Sequence, residues 1–347
     1  MGRNRRNLTF NFTIDVIMKT SILQDILKRS VDLNRKIVFP EAGRDPRVLN
    51  AVMSLQKSGA VRPVLISLNN SVERLADAEG IDLPDSVDVV RVETEDELKE
   101  RVGFFEKKLS HKNPTQEQIL HLAKDPLMTA GWLVATGKAD GSVAGSIAST
   151  ADVIRASLRT IGTGEGVKLV SSTFLMELKN GSVVTYADCG VVPYPDAEQL
   201  AEIAITSGIT HKTLTGEDPR IAFLSFSTKG SASHERVELV KNALDIAKGK
   251  KSDWQMDGEL QFDAAFVPEI GRRKAPDSEV AGNANVYIFP NLDAGNIAYK
   301  ITERVGGATA IGPILQGLAK PYMDLSRGCS EDDIFYAAAI CSVLTNA

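Results

Sequence analysis

The chain has 347 residues, 43% of them hydrophobic and 24% charged, enough apolar material to build one large or two ordinary buried cores. Its 40 basic and 45 acidic residues give a net charge of −5, so no overall basic bias points to nucleic acid. No run approaches the roughly 20 apolar residues of a membrane span. At the N-terminus, "MGRNRRNLTFNFTIDVIMKTSIL" is basic and then mixed, and Asn11, Thr13 and Asp15 interrupt its apolar residues. That breaks any signal-peptide core. Residues 1–17 therefore read as a disordered extension or an over-called start, with the domain beginning at Met18.

From there short β-rich runs alternate with amphipathic stretches. The pattern predicts strands at Lys36–Pro40, Pro63–Leu68, Asp88–Val92 and Ser142–Gly145. A second set follows at Val167–Glu177, Ser182–Ala187, Ile221–Phe226, Ala264–Val267 and Val286–Phe289. Helices are predicted at 21–33, 46–58, 95–109, 116–135, 151–160, 196–211, 233–248, 293–304 and 331–345. Continuous apolar runs such as "IVFP", "IAFLSF" and "NVYIFP" suit parallel sheets covered on both faces. The alternation argues for an α/β architecture of mostly parallel sheets. "KNGS" between two strands reads as a hairpin.

Ser149 and Thr150 open the helix at 151–160, where free backbone N–H groups attract phosphate. Arg155 follows about a turn and a half later, and Arg159 is four residues on, on the same face. Taken alone, this is equally a capped helix with two solvated arginines. Gly162, Gly164 and Gly166 lack the spacing of a dinucleotide fingerprint and read as a hinge; "RVGGATAIGPI" (304–314) reads as a second. In "FSTKGSASHE", Ser227 to Ser231 lie after a strand and before a helix, which makes Lys229 a candidate anion ligand. The alternative there is a polar turn, since the Walker order is absent.

The most informative segment is Asp324 to Ile334. Ser326, Arg327 and Gly328 place a hydroxyl, a planar guanidinium and a permissive backbone side by side, a combination suited to an anion or a developing oxyanion. Asp333 adds a carboxylate that could take a proton. Ser330 with Asp333 three residues later also fits a capping box. Cys329 beside this pair reads as a small passive residue. Three cysteines, Cys189, Cys329 and Cys341, with no CxxC pair fit a reducing, cytoplasmic compartment. The four histidines, His111, His121, His211 and His234, form no metal-binding pattern.

The string "GPILQGLAKPYMDLSRGCSEDDI" closely resembles the C-terminal signature of the phosphate acetyltransferase (phosphotransacetylase) family. So do "FSTKGSA", "DGELQFDAA", "KAPDSEVAGNANVYIFP" and "AGNIAYKITER", and the similarity runs from about Ile37 to the C-terminus. The resemblance implies two three-layer αβα domains with the active site in the cleft between them. The first would comprise 18–165 plus 312–347, with 166–311 inserted. It implies reversible acetyl transfer between phosphate and coenzyme A by direct thiolate attack in a ternary complex. Neither a cofactor nor a metal would be needed, and the enzyme would be a homodimer. In that frame Ser326 matches the residue that hydrogen-bonds the reacting centre, Arg327 the arginine that offsets charge, and Asp333 the base for the thiol. Arg155 and Arg304 match substrate-binding arginines. Asn296 and Tyr299 would line the cleft, although Arg304 also fits a helix-end cation and Tyr299 a core aromatic. The chain departs from the family near "EKKLSHKNPT", where Lys107 and Lys108 stand without a CoA-binding arginine. Butyryl transfer, a non-catalytic acyl-CoA-sensing module and an isocitrate-dehydrogenase-like oxidoreductase are the alternatives; the last lacks a matching metal-carboxylate set and nucleotide fingerprint.

Overall fold

The computed structural model describes residues 21–346, so the expectations for residues 1–17 and Met18 lie outside the described residues. The first half runs α1 (Ile22–Leu33), β1 (Lys36–Phe39), α2 (Pro46–Ser58), β2 (Arg62–Ser67), α3 (Ser71–Glu79), β3 (Asp88–Arg91) and α4 (Glu95–Lys108). It continues through α5 (Gln116–Lys124), α6 (Pro126–Ala135), β4 (Gly141–Ala144) and α7 (Thr150–Thr160). Next come β5 (Ser171–Glu177), β6 (Val183–Ala187), α8 (Ala197–Thr215), β7 (Arg220–Leu224), α9 (Glu235–Lys250) and β8 (Gln255–Leu260). The chain ends with α10 (Phe262–Phe266), α11 (Pro268–Lys274), β9 (Val286–Ile288), α12 (Leu292–Arg304), β10 (Thr309–Gln316), β11 (Tyr322–Asp324) and α13 (Glu331–Leu344).

The strands form two sheets. The first has the order β11-β4-β1-β2-β3 and is parallel throughout. The second has the order β10-β5-β6-β9-β7-β8. Its β6, β9, β7 and β8 are parallel, while β10, β5 and β6 pair antiparallel. Leu178 N–H donates to the Ser182 carbonyl at 2.8 Å, closing the expected β5–β6 hairpin.

Alternation along each strand explains the layers. Ile37, Phe39, Leu65 and Met323 pack with residues of α1, α2 and α13, whereas Val38, Val64, Ile66 and Tyr322 pack with those of α6 and α7. In the second sheet Ile221, Phe223, Val286 and Ile288 meet α8 and α9, while Tyr186, Ala222, Leu224 and Tyr287 face the other side. Each sheet is therefore buried on both faces, as its continuous apolar strands demand. The cluster on the first sheet also takes in Leu175, Leu214, Ile311 and Ile314, so one apolar core continues across the junction of the two halves.

Several elements differ from expectation. Ala264–Val267 is not a strand: residues 262–266 form α10, and the edge strand is β8. The predicted helix 116–135 is two helices. Asp125 ends α5, caps Met128 N–H of α6 at 2.9 Å, and has the extended conformation favoured before Pro126. The strand expected from Val167 begins only at Ser171, because the Glu202 carboxylate takes the Lys168 and Leu169 N–H groups at 2.6 and 2.9 Å. The stretch 304–314 is not simply a hinge, since β10 starts within it. Of the expected segment boundaries, 165/166 lies before β5 and 311/312 falls inside β10. The two inter-sheet links run side by side: Gly164 N–H donates to the Gly317 carbonyl and Ala319 N–H to the Gly162 carbonyl, both at 3.0 Å.

Candidate active site

In the first sheet the strand order reverses between β1 and β4, and the crevice at the carboxyl ends of such strands is the expected ligand position. Glu41 leaves the end of β1 there and is buried. Its carboxylate accepts from Gly145 N–H at 2.7 Å, Ser146 at 2.8 Å, Ile147 at 3.1 Å and Ala148 at 2.7 Å. The loop between β4 and α7 thus turns its amides towards an internal anion. Arg47, in the first turn of α2, braces the next segment. Its Nη1 donates to the Cys329 and Arg327 carbonyls at 2.6 and 3.1 Å, and its Nη2 to the Ser146 carbonyl at 3.1 Å. An ion pair with Asp45 at 2.8 Å fixes the guanidinium.

Where β11 ends, a cavity of about 330 Å³ opens between the two halves. Ser326, Asp333, Arg304 and Tyr299 line it together with Phe174, Pro313, Asp324 and Cys329. These four expected site residues come from α12, the β11–α13 connection and the first turn of α13, so the fold unites positions separated by up to about a tenth of the chain. Ser326 is exposed, and its Oγ accepts from Gly328 N–H at 3.2 Å, which holds the turn. Asp333 forms the capping box: its Oδ2 accepts from Ser330 N–H at 2.8 Å and Ser330 Oγ at 2.9 Å. Tyr299 stacks on Phe174 with ring centroids 4.1 Å apart, so it both lines the cavity and packs. Arg304 lies in the last turn of α12, with its Nε 3.3 Å from Glu303 Oε2 and a side chain 80% exposed.

The remaining expected residues lie around this cavity or away from it. Arg327 is exposed and is not on the lining, although it follows the lining residue Ser326 in sequence. Ser149 caps α7 and hydrogen-bonds Asp152 at 2.7 Å, and Arg155 pairs with the same Asp152. Thr150 Oγ1 donates to Asp324 Oδ2 at 2.6 Å, joining α7 to the cavity wall. Asn296 donates to the Cys189 carbonyl at 3.0 Å and is not on the lining. Lys229 belongs to a different place. Its Nζ meets Asp257 at 2.5 Å and the Gly258 carbonyl at 3.1 Å, while Gly230 N–H donates to Glu259 at 2.7 Å. Internal carboxylates thus occupy that loop's donors. Lys108 Nζ donates to the Thr160 and Ile161 carbonyls at 2.6 and 3.3 Å, and burial lowers its pKa.

Sequence reasoning missed Glu41, Arg47 and Asp324. The signal for the first two was available, since "EAGRDPR" follows a parallel strand. Burial pushes the Asp324 carboxyl up to about 6 against the Thr150 hydrogen bond, and the Glu41 carboxylate adds to the rise. Burial also pushes the Cys329 thiol up, with Arg47 opposing, which fits a passive residue. Among the described residues no group of three or more His, Cys, Asp or Glu side chains is placed to hold a metal ion.

Comparison with known proteins decides the family. The family model described as phosphate acetyl/butaryl transferase matches residues 21–342. The chain belongs to that family. It is 45% identical to a phosphate acetyltransferase of Thermoanaerobacterium thermosaccharolyticum over 328 residues, covering 93% of this chain and 99% of the relative. Identity to the phosphate acetyltransferase of Bacillus subtilis is also 45%, over 305 residues, covering 88% and 93%. Among solved structures, a phosphotransacetylase from Streptococcus pyogenes superposes with a TM-score of 0.88 at 42% identity, covering 94% of this chain and 98% of that one. The two-sheet α/β architecture is therefore the fold of this transferase family, and the cavity at its centre is the candidate site.

Proposed function

We propose that this protein catalyses reversible transfer of an acetyl group between coenzyme A and phosphate. The observation that carries the reading is 45% identity to a phosphate acetyltransferase across 93% of the chain. The cavity supports it by gathering Ser326, Asp333, Arg304 and Tyr299 on one wall system between the two halves.

In the direction that forms acetyl-CoA, the CoA thiol loses its proton and its sulfur attacks the acetyl carbonyl of acetyl phosphate. The carbon–oxygen bond to phosphate then breaks and phosphate leaves. Holding both substrates together supplies much of the acceleration, because it replaces a bimolecular encounter with a positioned one. The Ser326 hydroxyl donates to the developing oxyanion, and the Arg327 guanidinium meets phosphate and offsets its charge. Arg304 and Arg155 bind substrate anions around the cavity, with Ser149, Thr150, Asn296 and Tyr299 shaping the approach. Asp333 accepts the thiol proton. Both of its cap bonds fall on Oδ2, which leaves Oδ1 without a protein partner among the described residues and open to that task. The reaction in this scheme needs neither a metal nor a bound cofactor.

A homodimer follows as a further proposal. Ile297 and Ile301 of α12 and its C-cap Val305 follow at i, i+4 and i+8 and are 58%, 55% and 81% exposed, an apolar stripe suited to a second copy. The three buried, unpaired cysteines support a reducing cytoplasmic setting. The test of the activity is release of CoA from acetyl-CoA in the presence of phosphate, with acetyl phosphate as the second product.

A further inference from the structure

Acetyl transfer as described leaves one buried acid of the cavity without a task. Asp324 is the last residue of β11 and is 3% exposed. Its Oδ2 accepts from Oγ1 of Thr150, the first residue of α7, across 174 positions of sequence. Its Oδ1 has no hydrogen-bond partner among the described residues. A Cβ on Gly145 would stand 2.6 Å from that oxygen, and Gly145 has a φ of +105°, so glycine both allows the turn and leaves room for the carboxyl. Two residues beyond Asp324 the chain presents Ser326, and then Arg327. The carboxyl therefore sits where the first turn of α7 meets the strand end that carries the proposed reacting groups.

We propose that Asp324 is a positioning residue for acetyl transfer. Its ionised carboxylate, through the hydrogen bond to Thr150, clamps α7 to the end of β11, and the clamp loosens when the carboxyl takes up a proton. The inference rests on the acetyl-transfer reading. A charge-assisted hydrogen bond is roughly twice as strong as a neutral one, so protonation weakens the tie without abolishing it. The surroundings favour proton uptake. Burial and the Glu41 carboxylate both raise the pKa of Asp324, to about 6. The other titratable groups on the cavity wall are Tyr299, Glu303 and Arg304 from α12, Cys329, and Asp333 and Tyr336 from α13, with the hydroxyls of Thr309 and Ser326 beside them. Tyr322 precedes Asp324 on β11, and on α2 the Arg47 guanidinium is occupied by Asp45 and by backbone carbonyls. No cation is bonded to the Asp324 carboxylate among the described residues, so the Thr150 hydroxyl is its counterweight.

The experiment is the pH profile of kcat for CoA release at saturating acetyl-CoA and inorganic phosphate, with the melting temperature measured at each pH. In the wild type kcat falls on the acid side of about pH 6. Asp324→Asn keeps an amide oxygen for Thr150 but does not titrate, and it loses that limb. Thr150→Val removes the donor and with it the clamp at every pH, so it loses the limb and lowers kcat by about tenfold, with less change in KM. Thr150→Ser keeps the hydroxyl and keeps the limb at its wild-type position. A purely structural role would move the melting temperature and leave the limb in place. An acid limb common to all four proteins belongs to the substrate or another group and overturns the proposal, as does the absence of a limb near pH 6 in active wild type. Should Asp324→Asn fail to fold, the valine and serine variants of Thr150 decide between these outcomes. Wild type inactive at every pH would remove the acetyl-transfer reading and the proposal with it, whereas an active wild type whose acid limb persists in Asp324→Asn and Thr150→Val overturns the proposal alone.

Discussion

Asp333 caps α13 through Ser330 and is also the proposed base, so one side chain would serve both the backbone and the chemistry. Its bonds to Ser330 fall on one oxygen, and the other has no hydrogen-bond partner among the described residues. The two functions separate by substitution. Asp333→Asn is nearly isosteric and still offers an oxygen to the cap, so it is expected to fold with little change in melting temperature and to lose about 10²–10⁴-fold in kcat. Ser330→Ala breaks the same capping box without touching the proposed base. It is expected to cost about 0.5–2 kcal/mol of stability while turnover is largely kept. Steady-state kinetics and thermal melts of both variants check this; equal behaviour would reduce Asp333 to a helix-start residue. At this scale Ser326 and Asp333 stand only seven residues apart in the sequence, and both line the cavity. The sequence carried no hint of Asp324, whose partner Thr150 is 174 positions away and whose burial depends on the whole cavity wall.

At the scale of elements, legibility followed the chemistry of burial. Strands such as β1 and β7 announced themselves as unbroken apolar runs because both of their faces are covered. The edge strand β8 did not: "QMDGEL" reads as polar, yet its Asp257 and Glu259 are buried and satisfied by Lys229, Ser227 and Gly230. The same device hid the anion geometry, since Glu41 and Glu259 fill loops whose composition suggests phosphate. Helix α8 contains a further buried polar group with a measurable consequence. His211 is fully buried, its Nδ1 lies 2.9 Å from Thr185 Oγ1, and its Nε2 has no partner among the described residues. Burial lowers its pKa from 6.5 to about 4. A depressed folded-state value means the unfolded chain binds the proton first as pH falls. The contribution of His211 is therefore complete above pH 6.5 and is lost towards pH 4, by roughly 3 kcal/mol. Asp324, with its raised pKa, acts in the opposite sense over part of the same window, so only a variant comparison isolates the histidine. Urea unfolding at pH 7 and pH 4 is expected to show a smaller acid destabilisation for His211→Gln than for wild type. An unchanged difference would mean that His211 titrates normally in the fold.

At the scale of the whole molecule, the alternation of strands and helices and the long C-terminal signature pointed to two α/β halves, and the two covered sheets agree with that. The boundary between the halves was less legible, because β10 completes the second sheet before the chain returns to β11 and glycines near 306 and 312 disguise it. The apolar stripe of α12 also belongs to this scale. If it is the contact between two copies, Ile301→Glu is expected to shift the protein from dimer to monomer in sedimentation or light scattering while the monomer stays folded. A dimer that survives this charge would place the contact elsewhere.

The central claim concerns what the cavity does, and one assay addresses it. EDTA-treated, metal-free protein is mixed with acetyl-CoA and inorganic phosphate, and free thiol and acetyl phosphate are followed together. The account predicts phosphate-dependent release of CoA with one acetyl phosphate formed for each thiol. Release of CoA without acetyl phosphate, or activity restored only by one particular divalent ion, would contradict it.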